Sequence, residues 1–305
     1  MANTNNYAEQ WSPELLEIIM QESLISPFIT TNVRWVGAKT FHFTQMSTSG
    51  YQPHNRAGGW NKGQYTQTDH PYTLTHDRDV SFLVDKADVD ETNSTASAEN
   101  ISKTFTRTQS TPEANALFFS KCATLAVSKD GYNSETALSE WTKDNVYSKL
   151  KTMLGAGKLR RYKGMGALVA YVRSEIMDLL EQSTELQRKI EMTQIAEGGM
   201  GLETRVTSID GVPIFEVIDD EVFYSSFDFS EGFEANGQHI NVLIASPLTT
   251  KFVPKINSIY FFAPGQHTEG DGYLYQNRAL SDVFTFPNGK DGQVDSVYVD
   301  LEATA

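Results

Sequence analysis

The sequence holds a single cysteine, Cys122, which excludes a framework of internal disulfides and agrees with a reducing compartment. No run approaches the ~20 consecutive apolar residues that cross a bilayer. The opening MANTNNYAEQ has neither the basic nor the apolar region of a secretion leader, so a cytoplasmic product with no membrane attachment is expected. Cations are scarce, with 25 Lys and Arg against 39 Asp and Glu, for a net charge of -14. Much of the deficit lies between Glu197 and Glu234, where ten carboxylates face one cation, Arg205. Affinity-driven nucleic-acid binding rests on Lys and Arg neutralising phosphates, so a direct nucleic-acid reader is disfavoured.

Catalytic signatures are also missing. GAGKL, from Gly155 to Leu159, has Thr152 where a phosphate loop needs its first Gly, and Leu159 where Ser or Thr must reach magnesium. The G-x-G runs that begin at Gly155, Gly164 and Gly199 lack the third Gly of a dinucleotide fingerprint, with Arg160, Val169 and Thr204 at those positions. There is no G-x-S-x-G. Cys122 falls on an apolar helical stripe with Phe118 and Leu125, which suits a small buried hydrophobe better than an activated thiolate. The six histidines, His42, His54, His70, His76, His239 and His267, show no local zinc spacing. Asp85, Asp88, Asp90 and Glu91 lack the central Gly and the spacing of a calcium loop, and helix capping accounts for them better.

What is present reads as mixed helix and strand in a chain long enough for two domains of roughly 100 to 200 residues each. Ser12 and Pro13 open a short helix over Leu15, Leu16, Ile18, Ile19 and Met20, which Pro27 stops. From Lys39 the pattern alternates, with Phe41 and Phe43 on one face and Thr40, His42 and Thr44 on the other, as in a strand. After the Gly-, Asn- and Gln-rich STSGYQPHNRAGGWNKGQYTQTDHPY, a second alternating run, YTLTHDRDVSFLVD, returns. This is a long two-stranded excursion with too few aliphatics for a core of its own, and an isolated hairpin in water is marginal. It needs a neighbour to lie on.

Helices are expected around Ile101 and Phe105, again from Thr111-Pro112, through TALSEWTKDNVYSKLKTML to Gly155, and from Ser174 as N-cap through Leu186 to Ile190. Strands are expected at ALVAYV, VPIFEVID, INVLIAS, SIYFFAP, DVFTFP and SVYVDLEA, with a basic KLRRYKGMG ahead of the first. At the loop tip, His54, Arg56, Trp60 and Lys62 combine in an exposed, Gly-rich segment. An uncovered Trp costs solubility, and Trp and Arg are enriched at interface hot spots, so Arg56, Trp60 and Lys62 are the candidate intersubunit contact.

The stretch SFLVDKADVDETNSTASAENISKTFTRTQSTPEANALFFSKCATLA, from Ser81 to Ala126, resembles a region of the major capsid proteins of tailed bacteriophages, the Hong Kong 97-type fold. The likeness rests on a strand and turn from Val84 to Thr92, on Phe105-Thr106-Arg107-Thr108, and on Pro112-Glu113 leading a helix to Ala126. A second block looks similar: GVPIFEV, INVLIAS, Lys251, Pro264, Gly270-Asp271-Gly272, Arg278, Asp282-Val283-Phe284 and Ser296-Val297-Tyr298-Val299.

The resemblance implies an α+β chain with an N-terminal arm (1–38), an extended β-hairpin loop (39–85), a peripheral domain with a long helix (86–130), an axial domain (131–250) and C-terminal strands returning to the peripheral domain (251–305). It implies a structural protein with no catalytic residues, cofactor or metal. Copies would form hexamers and pentamers of an icosahedral shell, assembled in the host cytoplasm. A portal protein is an expected partner. The packaged DNA would be enclosed but not bound by sequence, which suits an acidic wall. Some relatives carry a long N-terminal scaffolding segment; this chain reaches its first helix by Ser12, so a separate scaffolding protein is expected. Some also cross-link a loop Lys to an Asn with help from a Glu; Lys62 lies in the right loop, but no Asn and Glu match. The alternatives are an encapsulin-type nanocompartment shell of the same fold and, from another class, an acidic cytoplasmic α/β hydrolase.

Overall fold

The computed structural model describes residues 23–31, 33, 35–54, 58, 60–86, 98–183, 190–194, 203–287 and 294–303, with backbone alone at 98–99, 190–194 and 203–207. The helix expected at Ser12–Pro13 and the capping residues Asp90, Glu91 and Thr92 lie outside them. Pro27 sits in a 3-10 turn, Ser26–Phe28, beside the fully buried Ile25 and Phe28.

The first alternating run forms β1 (Thr40–Thr48), paired antiparallel with β2 (Tyr65–Thr73) from Thr40↔Thr73 to Thr48↔Tyr65. Leu74 and Thr75 break the second run, and β3 (His76–Asp85) leaves the hairpin for another sheet. Next come α1 (Ala98–Phe105) and α2 (Thr111–Val127). The sequence suggests two helices with a restart at Thr111-Pro112, but the structure makes them one. Thr106–Ser110 form a π-turn in which the Thr111 N–H donates to the Thr106 carbonyl, five residues back. The wider turn accommodates Pro112, which has no N–H and whose ring would crowd the preceding turn of a regular helix. Thr106 and Thr108 help by donating their hydroxyls to the Ser102 and Thr104 carbonyls at 2.9 Å each.

Short β4 (Asn133–Glu135) precedes α3 (Val146–Leu154) and α4 (Leu159–Gly164). The helix expected through TALSEWTKDNVYSKLKTML is thus shorter. Asn145 explains its late start: its side chain accepts from the Thr142 N–H and donates to the Glu140 carbonyl, both at 2.9 Å, which stabilises a turn. Then follow β5 (Val169–Arg173) and α5 (Ser174–Glu181). Ser174 does not cap its helix, because its hydroxyl donates to Glu216 at 2.6 Å. The helix stops at Glu181, and Ile190 opens a strand instead of closing the helix; Leu186 lies outside the described residues.

The remaining strands are β6 (Ile190–Gln194), β7 (Glu203–Ile209), β8 (Val212–Val217), β9 (Phe227–Asp228), β10 (Glu234–Ala235), β11 (Ile240–Ala245), β12 (Thr250–Phe262), β13 (Gly272–Thr285) and β14 (Val297–Leu301). A seven-stranded sheet has the order β4-β14-β11-β5-β8-β7-β6, and a three-stranded sheet the order β12-β13-β3. Residues 251–305 therefore divide, since β12 and β13 pair beside β3 while β14 lies between β4 and β11.

Strands β5 and β11 are buried on both faces, which is why their sequences read as apolar runs. Val169 and Tyr171 face α2, whereas Ala170 and Val172 face the cluster holding Val146, Leu150, Leu159 and Ile176 from α3, α4 and α5. On the α2 side, Phe119 meets Tyr171 and Phe223 edge to face at 5.2 and 4.9 Å. Cys122 is buried there, as its stripe predicts, and burial pushes its thiol pKa up. Asp300 on β14 is fully buried, and burial raises its pKa. Its carboxyl accepts from Ser134, from Thr136 at 2.8 Å and from Asn241 at 2.9 Å, joining the β4 edge to the centre of the sheet.

Candidate interaction surface on the extended hairpin

The β1–β2 hairpin has a dry base and a wet tip. At the base, Phe41 and Leu74 are buried with Val253, Leu280 and Phe284. Phe43 stacks on Phe286 at 4.5 Å, and Tyr72 lies edge-on to Phe284 at 5.3 Å. Lys255 sits 4.0 Å above the Trp35 ring while donating to the Gly37 carbonyl at 2.9 Å and to that of Ala38. These contacts anchor the root of the hairpin on β12 and β13.

Asp77 on β3 adds a charged clamp. It accepts from Arg278 at 3.0 and 2.9 Å and from Lys39, just ahead of β1, at 2.7 Å. Arg278 first, and then Lys39, hold the Asp77 carboxyl far below the usual carboxylate range. A carboxylate whose pKa is lower when folded stabilises the fold above its unfolded value, near 4. That contribution is lost as pH falls through the lower folded value. Asp77→Asn is expected to cost about 1 kcal/mol at neutral pH. Thermal melts in a pH series should show the deficit narrowing steadily below about pH 4. A deficit that stays constant with pH would show that the charge does not carry the effect.

Each strand of the hairpin is about 30 Å long, base included. Its outer half has little apolar cover of its own. Met46 is 63% exposed and Tyr65 73%, and they are diagonal neighbours on one face, since Met46 pairs with Gln67 and Thr48 with Tyr65. Trp60 is 94% exposed; its nearest ring partner is His54, with centroids 6.3 Å apart. Tyr51 is fully exposed and Lys62 exposed. The tip is shaped by polar bonds: Ser49 N–H to the Gln64 carbonyl at 2.8 Å, Gln64 N–H to the Ser49 hydroxyl at 2.9 Å and the Asn61 amide to the Pro53 carbonyl at 2.8 Å. Trp60 and Lys62 thus share a projecting tip, and Arg56 lies outside the described residues. The sequence reading missed Tyr51, Met46 and Tyr65. Tyr51 could have been found by the argument used for Trp60, whereas the register that pairs Met46 with Tyr65 had no local signal.

A concavity lies between the π-turn, β3, β12 and β13, and takes in Gln109, Glu113, Arg78, His76, Phe252 and Asn277. Glu113, His76 and Arg78 are engaged with one another. Glu113 accepts from Arg78 at 2.8 Å and from His76 at 2.9 Å, and Arg78 also donates to the carbonyls of Phe229 and, at 3.0 Å, Gly232. The arrangement ties α2, β3 and the β9–β10 turn together. Among the described residues, no group of three His, Cys, Asp or Glu is placed to hold a metal, and no helix is long and apolar enough to cross a membrane.

No protein-family model matches the sequence, and a search of curated proteins finds no match. Solved structures do match. The chain is similar to the mature capsid of bacteriophage PhiM1, with a TM-score of 0.64 and 13% identity over 93% of this chain and 88% of that one. It is also similar to the capsid of cyanophage P-SCSP1u, at 0.60 and 10% over 93% and 89%, and to a structure from Mycobacterium phage Bobi, at 0.55 and 11% over 93% and 91%. The chain has the α+β Hong Kong 97-type fold of phage capsid proteins.

Proposed function

We propose that this chain is the major capsid protein of a tailed bacteriophage, whose copies assemble into an icosahedral shell around the genome. The observation that carries the reading is the hairpin: it is rooted in its own subunit and projects an uncovered Trp60, Tyr51, Met46 and Tyr65, on a fold shared with phage capsids. Such a projection gains stability by lying on a neighbour, and many modest interfaces add up to a stable shell. Arg56, Trp60 and Lys62 are the proposed intersubunit contacts.

In this reading residues 1–38 are the arm, and of the loop expected over 39–85 the β1–β2 hairpin is the part that projects, because β3 pairs with β13. The long helix with the β12-β13-β3 sheet forms the peripheral domain, and the seven-stranded sheet the axial domain around hexamer and pentamer centres. The protein acts by assembly and has no enzymatic role. A separate scaffolding protein, a portal protein and enclosed DNA are its partners, and assembly takes place in the host cytoplasm.

Negative-stain electron microscopy of the purified protein, expressed alone and with its neighbouring genes, tests this. Closed particles or capsomer rings are expected. A lumen filled by an enzyme in place of DNA would turn the assignment to an encapsulin-type shell. A chain that stays monomeric even beside its neighbours would sink the shell reading and return attention to the acidic hydrolase.

A further inference from the structure

Charge in this acidic chain is segregated. Between Lys143 and Lys163 seven cations stand against one carboxylate, Asp144, a reversal of the overall sign. The structure gathers most of them on the α3–α4 unit. The turn there is held firmly: Gly157 has φ +46°, a Cβ on it would meet the Tyr132 hydroxyl at 2.6 Å, and that hydroxyl accepts from the Lys158 N–H at 2.9 Å. Lys158 and Lys163 are neutralised within the chain, by Asp295 at 2.7 Å and Asp210 at 2.6 Å. Arg160 and Arg161 are exposed and make no ion pair among the described residues, and Met165 beside them is 68% exposed.

The opposite charge gathers at the other end of the same sheet. Strands β5 and β8 run parallel. Arg160, Arg161 and Met165 precede β5, whereas Ile218, Asp219 and Glu221 follow β8, with roughly 16 Å of strand between the two ends. Ile218 is 78% exposed, and Asp219 and Glu221 are exposed. The two groups also sit on opposite faces. The α3–α4 unit covers the Ala170 and Val172 face, while Val222 and Phe223, next to the acidic residues, pack with α2 on the other. Asp219 accepts from the Glu221 N–H at 3.2 Å, but each end carries exposed charge that makes no ion pair among the described residues, around one exposed apolar side chain and with the signs reversed.

We infer that copies of this chain join head to tail through these two ends, Arg160, Arg161 and Met165 of one copy seating against Ile218, Asp219 and Glu221 of the next. A surface complementary to a different surface of the same molecule makes a heterologous contact, which repeats around a ring. Complementary charge at such a contact sets register and orientation and suppresses like-to-like pairing. The inference rests on the assembly reading and names the contact by which a capsomer ring would close. A nucleic acid is the less suitable occupant, because two arginines in a chain of net charge -14 offer little phosphate neutralisation.

Sedimentation of two charge-reversed chains tests it without requiring a closed shell. Arg160→Glu/Arg161→Glu makes both ends anionic, and Asp219→Lys/Glu221→Lys makes both cationic; all four positions are exposed, and circular dichroism checks that each chain folds. Each chain alone is expected to stay dispersed, with assembly reduced roughly tenfold or more at about 0.15 M salt. An equimolar mixture should form oligomers that salt disperses, and the chain carrying all four changes should behave as wild type. Met165→Ser in the cation-end wild-type partner of that mixture should weaken association with no change in charge, which separates a fitted contact from general attraction. Normal assembly by either reversed chain alone, or no association in the mixture, would overturn the inference. Oligomers in the mixture without closed particles from wild type would uphold the contact and count against the shell.

Discussion

Trp60→Ala is expected to leave a soluble subunit with an unchanged melting temperature and to abolish most shell formation. Trp60 is almost fully exposed, with His54 as its one near ring partner among the described residues, so its removal takes little from the subunit's own packing. At an interface, truncating a central aromatic anchor costs about 2 kcal/mol or more, roughly thirtyfold in a contact equilibrium. A shell repeats that contact at every subunit, so the yield of closed particles should fall more steeply than one contact implies. Particle counts by electron microscopy, set against a thermal melt of the same preparation, measure both quantities. A lowered melting temperature would assign Trp60 to the fold of the subunit, and undiminished particles would remove it from the contact.

Phe119→Ala is expected to do the reverse, destabilising the subunit by about 3–5 kcal/mol. Phe119 is fully buried between α2 and the seven-stranded sheet, against Phe118, Tyr171 and Phe223, so deleting its ring opens a cavity where two layers meet. That is a large part of the ~5–15 kcal/mol that holds a typical domain folded. Denaturant unfolding should show an earlier midpoint, with assembly lost because the subunit itself is no longer well populated. Phe119→Leu, which keeps most of the volume, should recover much of the stability. Equal losses from both substitutions would point to the aromatic contacts themselves and not to the cavity.

Local pattern carried a good part of the fold. The alternation at Phe41 and Phe43 marked β1, the apolar runs VAYV and INVLIA marked strands buried on both faces, and the Phe118–Cys122 stripe marked a helix with an apolar side. The exposed tip was legible because its sequence offers Trp60 almost nothing to pack on. Other elements misled. Pro112 reads as a helix start, yet a π-turn carries the helix past it; Ser174 reads as a cap, yet its hydroxyl is drawn to Glu216 on a strand far along the chain.

The strand and helix periods, the burial of Cys122, the exposed aromatic tip and the acidic balance could be read from the residues alone, because each depends on neighbours in the chain. It took the folded chain to show that β14 leaves β12 and β13 for the seven-stranded sheet, that Met46 and Tyr65 share a face, and that cations and carboxylates collect at opposite ends of β5 and β8. Those outcomes rest on strand pairing between distant segments, where hydrogen-bond register and two-sided burial choose the partner and no local pattern encodes the choice.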